Sequence, residues 1–235
     1  MIEKEILLRE KQRYNLPLFI SKQEEKLLRK NCPVQKIIGY QILQNVHIDL
    51  SYNVLIPRYE TEELILESYK YINKDSKVLD LGCGSGFIGL AIKKNINCDV
   101  DMVDISNAAI KQTKKNAKLN NLEVNVFKSN WFKKINNKYD LIISNPPYLS
   151  LKNTPYIGSL KYDPKKALYA KNNGFKHYET ILKNAKKYLK ENGHILFEVD
   201  DFVADMLKNK YQNIKIIKDI NNKNRIAIIK YGDLK

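Results

Sequence analysis

Lys77-Val78-Leu79-Asp80-Leu81-Gly82-Cys83-Gly84-Ser85-Gly86 is the stretch from which the rest of this chain is best read. An apolar run leads straight into glycines, and a helical pattern begins where they end. Glycines at such a turn let the backbone take positive φ and approach a ligand closely, which a side chain would prevent. Onward from Lys77 the runs KVLDL, CDVDMVD, EVNVF, YDLIIS and HILFEV have strand character, and helical stretches follow most of them. That alternation implies parallel strands with right-handed crossovers, hence a doubly wound α/β sheet. Two last runs, NIKIIKDI and NRIAIIKY, joined by Asn221-Asn222-Lys223, read as an antiparallel pair. The expectation is a seven-stranded, mostly parallel, Rossmann-like sheet.

Before the sheet the character of the chain changes. Residues 1–32 read as a short helical segment of two helices, the second opening on a capping box at Ser21 and Glu24 and ending before Pro33. Residues 33–60 read as a β-hairpin and linker built from YQIL, VHIDL and NVLI, and residues 61–235 as the main domain, opening on a helix. A chain of 235 residues with 43% hydrophobic composition can bury one full core. No apolar run approaches the roughly 20 residues of a spanning helix. The first residues, MIEKEILLREKQRYN, mix charges of both signs and lack a signal-peptide apolar region. Cys32, Cys83 and Cys98 show no CxxC spacing, which argues against a disulfide framework or metal site and fits a cytoplasmic protein. The net charge of +15, from 41 Lys+Arg against 26 Asp+Glu, has two readings. One is a polyanion nearby, such as RNA or the ribosome. The other is compositional drift, because the lysines are scattered. Charge alone does not decide the substrate.

Gly84-x-Gly86-x-x-Gly89 also matches the dinucleotide fingerprint. A dinucleotide would bring a pyrophosphate to this loop, where the Asp80 carboxylate would repel it. The same carboxylate favours a cation, and S-adenosylmethionine carries both an ammonium and a sulfonium. The next strand ends at Asp104, about 20 residues on, where a carboxylate grips ribose hydroxyls. Ser106 is available to cap the following helix, which leaves Asp104 for the ligand. The fourth strand, Tyr139 to Ser144, runs into Asn145-Pro146-Pro147-Tyr148. Two prolines remove two backbone donors and stiffen the turn. Their carbonyls and the Asn145 side-chain carbonyl can hold both hydrogens of an –NH2 group. Tyr148 offers a flat face to the planar group that bears it. A delocalised nitrogen of this kind is a poor nucleophile, so orientation and fixed acceptors must do most of the work. No metal is required.

Several segments together resemble the release-factor glutamine methyltransferase family, over roughly residues 33 to 230. They are PVQKIIG (33–39), LIPRYETE (55–62), DLGCGSG, VDIS, SNWF, SNPPY, YDPKKAL (162–168) and the KDI to RI ending. NPPY alone is shared with nucleic-acid amine methyltransferases; the segment before the sheet discriminates better. The resemblance implies a class I methyltransferase fold and S-adenosylmethionine as cofactor. It implies methylation of the GGQ glutamine of peptide-chain release factors by a monomeric enzyme. Asp80, Gly82, Cys83, Gly84, Ser85, Gly86, Asp104 and Ile105 would bind the cofactor, with Asn130 and Trp131 beside its adenine and Asn145 also within reach. Asn145, Pro146, Pro147 and Tyr148 would be catalytic and hold the glutamine, while Arg58, Glu60 and Thr61 would wall its pocket. The family usually has proline at Tyr59, an acid at Asn130, glutamate at Asp163 and glycine at Asp200, and a longer N-terminal helical domain. Rival expectations are methylation of a base amine, which needs a flipped or single-stranded base, or of a ribosomal-protein glutamine. A scaffold without activity and a dinucleotide oxidoreductase fit the motifs less well.

Overall fold

The computed structural model describes residues 2–234. Helices α1 (Ile2–Arg13), α2 (Lys22–Leu28) and α3 (Val34–Ile38) precede a hairpin of β1 (Tyr40–Leu43) and β2 (Val46–Asp49). Helix α4 (Glu60–Ser68) leads into β3 (Lys77–Leu81), α5 (Phe87–Ile96), β4 (Asp99–Asp104), α6 (Asn107–Leu119), β5 (Asn125–Lys128) and β6 (Tyr139–Ser144). After a long loop come α7 (Lys165–Leu168), α8 (Lys176–Tyr188), β7 (Leu189–Glu198), α9 (Asp201–Lys210), β8 (Lys215–Lys218) and β9 (Asn224–Lys230).

Over the described residues the main sheet has seven strands in the order β5-β4-β3-β6-β7-β9-β8. Strands β5 through β7 are parallel to their neighbours, and β9 runs antiparallel to both β7 and β8. The strand order reverses between β3 and β6. In doubly wound sheets ligands bind outside the carboxyl ends of the strands at such a switch point. The glycine loop and the Asn-Pro-Pro-Tyr turn both leave the sheet there.

Burial follows the two-residue period of a sheet covered on both faces. Val78, Leu141, Ile143, Leu196, Ile226 and Ile228 face the core shared with α5, α6 and the hairpin. Leu79, Ile142, Ile195, Phe197, Ala227 and Ile229 face the core under α8 and α9. The N-terminal helices have a small core of their own in Leu7, Leu28 and Val34. No described helix is long and apolar enough to cross a membrane.

Two local expectations are corrected. The second helix does end before Pro33, but Pro33 then caps a further helix, α3, which closes on Gly39 at φ +93°. Proline suits a helix start, where its missing N–H would be unpaired anyway. The third strand-like run, NVLI, forms no strand. Its Ile56 N–H donates to the Asp163 carboxylate at 2.9 Å, so a side chain replaces the strand partner that its apolar pattern suggested. The capping box at Ser21 and Glu24 is present in both directions.

Candidate active site

The glycine loop leaves β3 with Gly82, Gly84 and Gly86 at φ +78°, +55° and +89°. At Gly86 a Cβ would also lie 2.9 Å from Thr113 Cγ2, so both backbone and space demand glycine. Helix α6 holds the loop from beneath. Thr113 Oγ1 donates to Gly84 O at 3.2 Å and Asn116 Nδ2 to Ser85 O at 2.8 Å. The same helix face grips the hairpin: Asn116 and Asn120 accept from the Asp49 and His47 N–H groups, and Gln112 accepts from Tyr52 N–H.

Asp80 lies beneath the loop, without exposed surface. Its Oδ2 accepts from Gly89 N–H at 3.0 Å, while Oδ1 is buried without a partner. Burial, with repulsion from Asp104, pushes its carboxyl up to about 7, against the Gly89 hydrogen bond. Asp104, half-buried at the end of β4, accepts from Gly84 N–H at 3.0 Å and Ser106 N–H at 2.7 Å. Burial raises it above the usual range in spite of these bonds. The carboxylate keeps acceptor capacity for a ligand beyond these bonds. Ile105 beside it is exposed. Trp131 adopts φ +48°, rare for a bulky residue. The turn is held by Ser129, whose Oγ donates to Trp131 O at 2.7 Å and accepts from Lys134 N–H at 3.1 Å. The Trp131 ring lies against Gly82, where a Cβ would sit 3.7 Å from Cζ3, and Asn130 is exposed next to it.

Strand β6 delivers the second half of the cleft. Ser144 Oγ donates to Leu81 O at 2.5 Å, which ties the end of β6 to the start of the glycine loop. Asn145 Nδ2 then donates to Thr61 Oγ1 at 3.4 Å, and Thr61 donates to Glu198 Oε2 at 2.7 Å. Tyr148 OH donates to the other Glu198 oxygen at 3.3 Å. Burial raises the Glu198 carboxyl, opposed by the Thr61 hydrogen bond, the Arg225 charge and the Tyr148 hydroxyl. Burial, with repulsion from Glu198, likewise pushes the Tyr148 phenol up. Gly174, at φ +99°, lies so close that a Cβ there would stand 1.9 Å from Tyr148 O.

A cleft of about 270 Å³ opens on this group, lined by Arg58, Glu60, Asn145, Pro147, Tyr148 and Glu198 among others. Arg58 is not free within it. It pairs with Asp163, whose other oxygen holds Ile56 N–H and whose backbone carbonyl accepts from Tyr156 OH at 2.7 Å. The expected site residues thus fall into two groups on either side of the switch point. Asp80, the glycines, Asp104, Ile105, Asn130 and Trp131 lie around β3 to β5, and Arg58 to Thr61 meet Asn145 to Tyr148 around β6. Glu198, Arg225 and Gly174 join the second group and were not among the expected residues. An acid closing the apolar run of β7 was the available signal for Glu198; nothing in the sequence marked Gly174.

Comparison with known proteins gives a match to the methyltransferase small domain over residues 59–157. A release factor glutamine methyltransferase of Streptococcus pneumoniae is 35% identical over 215 residues, 87% of this chain and 77% of that one. The chain belongs to the release factor glutamine methyltransferase family. Among solved structures, a methyltransferase from Pyrococcus furiosus superimposes with TM-score 0.64 at 19% identity, over 90% of this chain and 98% of that one. The 16S rRNA N2 G1207 methyltransferase of Thermus thermophilus, with AdoMet and guanosine, gives 0.59 at 16%, over 81% and 49% of the two chains. Both show the class I methyltransferase fold.

Three of the four residue departures from the family pattern have a local partner. Tyr59, in the place of a proline, donates to Glu10 of α1 at 3.2 Å. Asp163, in the place of glutamate, makes the Arg58 pair. Asp200, in the place of glycine, caps α9 by accepting from Val203 N–H at 2.8 Å. The family's cofactor, S-adenosylmethionine, suits the first group of residues. Asp80 has a buried oxygen without a partner, Asp104 has lone pairs to spare, and Trp131 walls a loop that side chains would block.

Proposed function

We propose that this enzyme methylates the side-chain amide nitrogen of the glutamine in the GGQ loop of a peptide-chain release factor. The observation that carries this reading is the direction of the Asn145 amide. Its Nδ2 is committed to Thr61, so Oδ1 is the end available to an incoming –NH2 group. In the bound state the cofactor supplies an electrophilic methyl carbon on a sulfonium. Asp104 and the glycine-loop backbone hold it from the β3–β4 side, with Asp80 beneath and Asn130 and Trp131 at its adenine.

On the substrate side the chain's own groups orient and polarise. Asn145 Oδ1 and the Pro146 carbonyl accept the two amide hydrogens, and the Tyr148 ring lies along the amide plane. Fixed acceptors favour localisation of the nitrogen lone pair, which resonance otherwise withholds, at no reorganisation cost during the reaction. The nitrogen gains the carbon as the methyl–sulfur bond breaks, and the proton it then gives up passes to solvent, a loss that the two fixed acceptors ease. Pro147, with no N–H, keeps the turn rigid. Arg58 acts through Asp163 to fix the Ile56 to Thr61 segment, which walls the pocket together with Glu60.

Outside the site, the enzyme works as a cytoplasmic monomer. Its net charge of +15 supports an anionic neighbour such as the ribosome. That charge, together with the shared NPPY turn, is also what favours methylation of a base amine. The test is peptide mapping of a release factor incubated with the enzyme and S-adenosylmethionine. One added methyl on the GGQ peptide supports the reading, provided it is absent when that glutamine is replaced by alanine. No methylation of the release factor under saturating cofactor contradicts it.

A further inference from the structure

We propose that Glu198 and Thr61 are positioning residues: together they set which end of the Asn145 amide faces the substrate. This rests on the reading that Asn145 accepts a hydrogen from the substrate –NH2 group. An amide is nearly symmetric in shape, and its two ends differ only in that one donates and the other accepts. Something must choose between them.

The chain of hydrogen bonds supplies the choice. Glu198 ends β7 with 1% of its surface exposed. An ionised carboxylate can only accept. Thr61, 2.7 Å away, must therefore point its single proton at Glu198. Only lone pairs remain on the side of Thr61 that Asn145 meets, so Asn145 has to present its Nδ2 there, at 3.4 Å. Its Oδ1 is then turned the other way. The second Glu198 oxygen takes the Tyr148 hydroxyl at 3.3 Å, which fixes the ring that walls the same cleft. One buried carboxylate thus sets both side chains.

Burial raises the Glu198 carboxyl, and the Thr61 hydrogen bond, the Arg225 charge and the Tyr148 hydroxyl oppose that shift, towards the ionised form this requires. Arg225 of β9 exerts its positive charge on Glu198, while its guanidinium pairs with Asp219 at 2.8 Å. Glu60 from α4 opposes it, and Tyr178 of α8 bonds to the Glu198 backbone carbonyl at 2.6 Å, leaving the carboxylate to Thr61 and Tyr148. Replacing Glu198 by glutamine keeps the shape but adds a donor. The Thr61 proton is then free to turn towards Asn145, and the amide can present the wrong end to the substrate.

The experiment compares Glu198→Gln, Thr61→Val and Thr61→Ser with the wild-type protein. Methyl transfer to a release factor is measured with NMR of the Asn145 side-chain amide. We expect kcat to fall about a hundredfold in Glu198→Gln and Thr61→Val, the scale of losing one preorganised polar contact. KM and cofactor affinity should change by no more than roughly twofold, and Thr61→Ser should recover most of the loss. In the spectra, contacts between the Asn145 amide protons and the Thr61 methyl should be present in wild type and lost in Glu198→Gln. Unchanged kcat in Glu198→Gln would overturn the proposal. So would a wild-type spectrum in which those amide protons lie away from Thr61. The second result needs no substrate, so a failure of the glutamine reading itself, seen as a wild-type enzyme inactive on release factor, is told apart from a failure of this one.

Discussion

On the proposed reading, Asn145 works as an acceptor whose direction other side chains choose, whereas Asp104 works through a charge that the backbone already half satisfies. The two positions should therefore fail differently. Asn145→Ala removes the acceptor for the substrate amide and leaves the cofactor side intact. Turnover should be abolished while calorimetry finds cofactor affinity nearly unchanged; loss of both together would contradict the orienting role. Asp104→Ala removes the proposed ribose acceptors and also strands the N–H groups of Gly84 and Ser106. Cofactor binding should weaken by about 1 to 3 kcal/mol, the scale for leaving polar partners unpaired. Affinity equal to wild type in the same titration would remove Asp104 from the site.

Among the elements, the loop after β6 is the one whose shape the sequence understated. Asn-Pro-Pro-Tyr announces a rigid turn, but its seat is made by Gly174, far from Tyr148 in sequence. Gly174→Ala would drive a methyl into the Tyr148 carbonyl and force positive φ on an L-residue. Overpacking and backbone strain together should cost about 2 to 4 kcal/mol. We expect a lower denaturant midpoint and a loss of turnover; a wild-type midpoint would mean that the loop does not depend on this contact. The strands of the sheet were legible because apolar runs, glycines and strand–helix alternation are local signals. The hairpin was partly legible: YQIL and VHID pair as their pattern suggests, whereas NVLI has the same pattern and finds a side chain, Asp163, in place of a strand. Helix α3 was missed because a proline at its start looks the same as a proline that ends the helix before it. Glu198 was visible as an acid closing an apolar strand, but its two donors lie 137 and 50 positions away in sequence. Nothing local could have joined them.

Across the whole molecule, buried carboxyls under the cleft make stability depend on pH. Asp80, raised to about 7 chiefly by burial, holds its proton more tightly folded than unfolded. Its contribution is present below the ordinary carboxylate value of about 3.9 and is lost as pH rises through about 7. Melting temperature should therefore fall more steeply between pH 4 and pH 7 for the wild-type protein than for Asp80→Asn, which carries no titrating group there. Parallel curves for the two proteins would show that Asp80 is not the source. The same scale holds the question of substrate, because a basic surface suits RNA as well as a protein met on the ribosome. The most direct test offers labelled S-adenosylmethionine with purified release factor, ribosomal protein and total RNA in parallel reactions, followed by mapping of the modified product. Label on the GGQ glutamine of the release factor is the predicted result. Label in RNA alone would leave the fold and cofactor site standing and contradict the assignment of the substrate.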